Sequence, residues 1–441
     1  MPSNRRQFVR RTAVLSTGVV AGCVSNITTE DPASDTETQA PSPTSAKATE
    51  QPTPTETETA MPATTEYDSR ERYAHPGDSY EDFETLSKWS VRSGTLTESP
   101  IAFTGSQSAR LVGENGNGPL IERSVAGEDF SDTEISMAVR TPTPSRIAIN
   151  IRLVDSSGNW LARSLRQISH RHGDIAWFRT APGTFTTSGD VFDVHDVDRL
   201  QVHVLNASDA RAEVLIDDMR LHSKPDKGYI ILSWDDGREI YYEDAAPIHD
   251  RFDFPVTMAA APQLVGKDTF MSLGQLEERQ RAGDEIVSHA TIAFDFHQMS
   301  AERLAQTLRQ NKTWLVERGF EQAEYIVYPG NNYDGTVLSV APKYHYAGGM
   351  NQAGDVNTTG VYSFDPLVLP RTIGHDLDIA KRVVDNVGRF RNCGILNFHH
   401  FDERNTMDVE EYEQLLGYID QQGDAVEVIT IDDLWEMRKR A

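Results

Sequence analysis

The sequence predicts two folded units of different class, an antiparallel β-sandwich followed by an α/β unit built on a parallel sheet. Three observations carry this reading. Residues 67–223 hold many short alternating segments and few helical ones, with Gly, Ser and Asp between them. From about Lys227 the pattern changes to apolar runs that alternate with helical stretches. Residues 24–66 ahead of both are mainly Thr, Pro, Glu, Ser and Ala, with little to bury.

The chain has 441 residues, room for two domains and a tail, and a hydrophobic content of 38%, low because of that linker. Its net charge of −25 argues against a nucleic-acid partner, whose phosphates need a basic surface. The same acidity is that of salt-adapted, halophilic proteins. Of the two cysteines, Cys23 falls in the leader and Cys393 in an apolar run. No disulfide can therefore form within the folded units, and Cys393 reads as a small buried hydrophobe.

Residues 1–23 read as an export signal. Arg5 and Arg6 precede an apolar run too short to span a bilayer. The pair followed by Phe8 resembles a twin-arginine signal, which exports folded proteins. Val20-Ala21-Gly22-Cys23 resembles a lipobox, with Cys23 as the lipidated residue. The expected location is thus the outer face of the cell membrane, with residues 24–66 as an extended tether.

In the first folded unit the strand-like runs are residues 120–124, 134–139, 147–153, 200–205 and 212–216. The pattern resembles a jelly-roll carbohydrate-binding module, opened by Phe83-Glu84 and closed by Ile216-Asp217-Asp218. Trp89, Trp160 and Trp177 could stack on sugar rings, although core packing is the commoner fate of each. Glu84 and Asp217 could share a structural Ca²⁺, since carboxylate oxygens suit that ion.

In the second unit, strands are expected at residues 229–232, 255–259, 285–288, 325–328, 395–398 and 426–429. Ser300 should cap one helix, and Asp408 with Glu411 should form a capping box for another. Polar residues recur just after the strands, where α/β enzymes carry their chemistry. Asp235 and Asp236 follow the first strand and His289 the third, with His297 further on. Pro329-Gly330 and the pair His399-His400 follow two others. One carboxylate with two imidazoles can hold a metal and leave positions open for water and substrate.

The half from about Lys227 to the C-terminus, 227–441, resembles the polysaccharide deacetylases with the NodB-type fold, a distorted (β/α) barrel. The motifs are Ser233-Trp234-Asp235-Asp236-Gly237, the run from Gly283 to His289, Tyr328-Pro329-Gly330, and Ile395 to His399. The resemblance implies Asp235 as general base, Asp236 and His289 as metal ligands, and His399 as general acid. It implies His297 as third ligand, with Asp295 as the alternative. Here the sequence departs from the family, which spaces its two histidines one helical turn apart, whereas residues 290–296 separate His289 from His297. The family's arginine before the Pro-Gly loop is also missing, and Arg371 is expected to take its place beside the base. The Asp-Trp motif that orients the catalytic histidine is not evident; Asp376 and Asp378 read as a helix start.

The implied activity is metal-dependent hydrolysis of an acetyl group from a polysaccharide or glycan, N-linked or O-linked. Zn²⁺ is the expected metal, with Co²⁺, Ni²⁺, Fe²⁺ or Mn²⁺ as substitutes. Tyr333 is expected to offer its backbone N–H to the oxyanion beside Pro329 and Gly330. The competing function is a surface carbohydrate-binding protein whose barrel no longer catalyses. A glycoside hydrolase is disfavoured, because neighbouring carboxylates on one strand end cannot flank a glycosidic bond. Taken singly, His170, His172, His195, His203 and His345 read as structural, and His400 is left open.

Overall fold

The computed structural model describes residues 77–169, 174–189, 191–291, 295–401 and 406–441, all within the compact unit Met61–Ala441. The export signal, Cys23, the linker, His170 and His172 lie outside the described residues.

The first half contains β1 (Asp78–Glu81), β2 (Ser90–Ser93), β3 (Thr95–Ser99), β4 (Ser108–Gly113), β5 (Leu120–Glu128) and β6 (Thr133–Arg140). It continues with β7 (Ile147–Asp155), β8 (Trp160–Arg166), β9 (Phe178–Thr180), β10 (Thr184–Thr187), β11 (Val197–Asn206) and β12 (Ala212–Ser223). They form two antiparallel sheets, β3-β4-β12-β6-β9 with β1 on β12, and β10-β8-β7-β11-β5-β2. Alternation explains them: Ile149, Ile151 and Leu153 of β7, and Leu200, Val202 and Val204 of β11, enter one apolar core. Residues of both sheets share that core, Ile135, Met137 and Val139 among them.

Trp89 is core, stacked on Phe83 at 5.5 Å between ring centroids. Glu84 and Asp217, the residues expected to share a Ca²⁺, both brace the loop at 103–107. Glu84 accepts from the backbone N–H groups of Ser106 (2.7 Å) and Gln107 (3.2 Å), and Asp217 from those of Phe103 (2.7 Å) and Thr104 (3.1 Å). Both carboxylates pin one loop, and no cation-holding group of three such residues occurs among the described residues.

The second half contains β13 (Gly228–Trp234), β14 (Thr257–Ala260), β15 (Glu285–Ser288), β16 (Met350–Ala353), β17 (Leu369–Ile373), β18 (Cys393–Phe398) and β19 (Val426–Val428). The helices are α1 (Ala246–Phe252), α2 (Leu273–Ala282), α3 (Ala301–Val316), α4 (Gly335–Val340), α5 (Leu377–Phe390), α6 (Val409–Asp420) and α7 (Ile431–Arg440). Among the described residues the sheet has the order β15-β14-β13-β18-β17-β16, with β19 beside β13, and every pair is parallel. Ile230, Leu232 and Trp234 enter one core and Ile231 another, so β13 is covered on both faces. That is why its sequence is a continuous apolar run. The expected strand at 325–328 is reduced to single parallel bridges, Ser288–Ile326 and Tyr325–Ala347. Ser300 caps α3, Asp408 and Glu411 box α6, and Asp376 caps α5.

The two halves are fastened together. Glu134 on β6 is 2% exposed and accepts from the N–H groups of Val361 and Tyr362 and the hydroxyl of Ser363. The Arg179 N–H donates to Asp365 at 3.1 Å, and Gly183 N–H to the Thr358 carbonyl at 2.8 Å.

Candidate active site

Register decides which side chains meet. Trp234 ends β13 opposite Met258 and Phe398, and Ala260 on β14 lies opposite Ser288. Several parallel strands thus finish at one edge. The residues that follow them, Asp235 and Asp236, His289, His399 and His375, leave from that edge. Trp234 seats the first strand: its Nε1–H donates to the Tyr412 hydroxyl at 2.9 Å, and Tyr241, Phe398 and Phe401 pack around it. The two carboxylates diverge because Asp236 turns to φ 74° and Gly237 to φ 71°.

Asp235 is 2% exposed and is held by Arg371 on β17. The guanidinium donates to both carboxylate oxygens, at 3.1 and 2.9 Å, in a two-pronged pair. His399 Nε2 stands 3.5 Å from Asp235 Oδ2. Burial opposes ionisation of Asp235, but Arg371, with His399 and His289 nearby, holds its carboxyl below the usual range. Burial also pushes the His399 ring below its ordinary value, against the pull of the two aspartates.

His289 faces the second carboxylate, with Nε2 at 3.6 Å from Asp236 Oδ1. Its Nδ1–H is directed at the Val327 carbonyl at 2.8 Å, which turns Nε2 toward the site. Burial disfavours the carboxylate form of Asp236, yet the His289 ring holds it well below the usual value. Arg238, which follows the Asp-Asp-Gly turn, donates to Asp236 Oδ2 at 3.2 Å and lies over the Phe270 ring.

The other expected residues are less closely gathered. His297 sits in the short turn Phe296–Gln298, and its Nδ1 is buried without a hydrogen-bond partner. Among the described residues, no three histidine, cysteine or acidic side chains form a group that could hold a metal ion together. Pro329 and Gly330 form a tight turn, Pro329–Asn331. The Tyr333 ring is fully buried beside Tyr328 in a core that both halves share, and its hydroxyl donates to the Ile168 carbonyl. Only its backbone is left to serve the site.

Three further residues belong to the site and were not assigned by the sequence. Arg238 is one. His375, just after β17, has its ring centroid 6.4 Å from that of His399 and 6.3 Å from that of exposed His400. Burial and those two rings push it down to about 4. Asn397 lies two residues before His399 on the same strand face; its amide stands 3.5 Å from His399 Nδ1 and donates to Gln352 at 2.9 Å. A polar residue just past a strand end was the available signal for His375.

Residues 222–349 match the polysaccharide deacetylase family model. A Bacillus subtilis (strain 168) protein, YxkH, named as a polysaccharide deacetylase, is 22% identical over 127 residues. That alignment covers 29% of this chain and 46% of YxkH, so the chain spans about half the length of this curated relative. Among solved structures, the Xyl-CE4 domain of a multidomain xylanase from the hindgut metagenome of Trinervitermes trinervoides is 17% identical, with a TM-score of 0.34. It covers 48% of this chain and 92% of that one. A mutant of the peptidoglycan deacetylase PdaC from Bacillus subtilis is 12% identical, with a TM-score of 0.34, covering 49% and 94%. Arg371 and His399 lie beyond the matched stretch 222–349.

Proposed function

We propose that this protein is a hydrolase that removes acetyl groups from a polysaccharide or glycan. The observation that carries the reading is the arrangement around Asp235: a buried carboxylate clamped by Arg371, with His399 on one side and the Asp236–His289 pair on the other. The family match over residues 222–349 supports it.

The donor set suits a divalent metal of the zinc type. Asp236 and His289 would hold it, His289 with its tautomer already set by Val327, and His297, whose Nδ1 has no partner, is the proposed third ligand. Such an ion lowers the pKa of water toward ~7 and polarises a carbonyl. The chain's own residues do the rest. Arg371 fixes Asp235 so that one oxygen can take the proton of the attacking water. That oxygen is 3.5 Å from His399 Nε2, so the proton can pass to the ring and then to the leaving amine or alkoxide. A His399 ring kept neutral by burial suits this, because it must first receive what it later gives. The backbone N–H of Tyr333 is the proposed oxyanion donor, in the turn opened by Pro329 and Gly330.

The same proposal takes the first-half sheets as a sugar-binding sandwich and the parallel sheet as part of a distorted barrel. It takes Cys23 as a lipid anchor after twin-arginine export, with residues 24–66 as tether. A second reading, a surface carbohydrate-binding protein whose deacetylase domain does not catalyse, draws on one observation: Arg238 already holds Asp236 Oδ2. Product analysis separates the readings. Purified protein incubated with acetylated glycans should release acetate without shortening the chain. No acetate from any of them would favour the binder, and shortened chains would point to a glycosidase.

A further inference from the structure

On the β10-β8-β7-β11-β5-β2 sheet, the residues turned away from the core align across neighbouring strands. His203 on β11 is opposite Asn150 on β7, and Asn150 is opposite Ser164 on β8. One pair further along, Gln201 is opposite Arg152 and Glu122. Four adjacent groups in this strip lack partners. Asn150 Oδ1, Arg152 Nε, Ser164 Oγ and His203 Nδ1 are each buried without a hydrogen bond among the described residues. Asn150 is 4% and Ser164 1% exposed. Buried polar atoms are normally paired, because an unpaired one has lost its water without gaining a partner. The four lie at neighbouring positions on three strands, and Arg152 and His203 among them are only partly buried.

Arg152 gives the surface its sign. Its guanidinium lies over the Trp160 ring, 4.9 Å from the centroid, and has no carboxylate partner among the described residues. Glu122, the nearby acid, is already taken by Arg92 and Gln201. In a chain of net charge −25 this is a local excess of positive charge. Burial beside Arg152 pushes His203 down to about 4, so its ring is neutral at ordinary pH and can pair with a hydroxyl. Among the described residues neither long side chain is tied by a hydrogen bond, so both can shift to admit a ligand.

The strip also leads toward the acid pair. At its end the Arg166 N–H donates to Asn357 Oδ1 at 3.2 Å, and Asn357 Nδ2 donates to the Arg371 carbonyl at 3.3 Å. A chain lying along β8 thus ends near the backbone that carries Arg371.

We propose that this face binds an acidic saccharide chain. A uronate carboxylate pairs with Arg152, and sugar hydroxyls satisfy Asn150, Ser164 and His203. This gives a site and a ligand class to the sugar-binding reading of the first half, on which it rests. The test uses the full chain and titration calorimetry with polygalacturonate, a soluble uronate polymer, and with neutral dextran. Polygalacturonate should bind saturably and dextran should not. Arg152→Gln and His203→Ala should each weaken binding about tenfold or more, with thermal melting and acetate release from a small acetylated probe unchanged. Asp235→Asn should bind like the parent, which keeps this result independent of the deacetylase assignment. Polygalacturonate binding unaffected by either substitution, binding of dextran alone, or no binding would each overturn the proposal.

Discussion

Arg371 meets Asp235 with both terminal nitrogens, at 3.1 and 2.9 Å, although 136 residues separate them in sequence. Both side chains are 2% exposed. A buried pair of this kind is costly to break, because the survivor keeps an uncompensated charge.

Arg371→Met should therefore lower turnover by roughly 10²-fold, the scale of losing a positioned base. Arg371→Lys should recover little, since an ammonium cannot grip both oxygens in the guanidinium's fork. Arg371 holds the Asp235 pKa down, so its removal raises that pKa and moves the acid limb of the pH–rate profile to higher pH. An unmoved limb with unchanged turnover would show that the pair is only structural.

Chelation should abolish acetate release, and added Zn²⁺ should restore it. His289→Ala and Asp236→Ala should each lower the bound metal measured by plasma emission. His297→Ala decides the third ligand: full metal content in that variant would assign its unpartnered Nδ1 to something else.

Asn397 is predicted to set the His399 ring. Asn397→Leu removes the only side chain seen against His399 Nδ1 among the described residues and should cost about tenfold in kcat, with KM little changed. An equal loss in both parameters would indicate a general disturbance of the strand end.

Stability should fall with acidity through His249. Trp234 donates to the Tyr412 hydroxyl, which in turn bonds His249 Nε2 at 2.6 Å, while Nδ1 meets the Phe254 carbonyl at 3.2 Å. The chain is satisfied only by a neutral ring, and burial pushes His249 from 6.5 down to about 3. The unfolded chain takes up this proton near pH 6.5 and the folded one does not. This contribution is complete above pH 6.5 and is lost toward pH 3, by at most ~1.4 kcal/mol per pH unit. Urea midpoints at pH 7 and pH 5 should differ in the parent and less so in His249→Gln. Parallel shifts in both would assign the effect to other groups.

How much of this was legible in the sequence varies with the element. Asp235, His289 and His399 each directly follow an apolar run, so strand ends located them. Arg371 reaches Asp235 from β17, with β18 lying between that strand and β13, and only the resemblance pointed to it. The third ligand was not fixed, because the stretch between His289 and His297 departs from the family's spacing. Tyr333 read as a backbone donor, and nothing in its neighbourhood announces that its ring enters a core shared with first-half residues such as Ile168. The seam between halves was invisible for the same reason: nothing local to Glu134 announces that it caps the backbone at Val361 and Tyr362. Unpartnered polar atoms such as Asn150 Oδ1 cannot be foreseen from alternation, which reports only which face a residue occupies.

The most direct test of the central claim compares parent and Asp235→Asn at equal bound metal, on one acetylated glycan, by the rate of acetate release. The account predicts rapid release by the parent and a loss of roughly 10²-fold or more in the variant. Equal rates would contradict it, and Asp235 would then be no part of the chemistry.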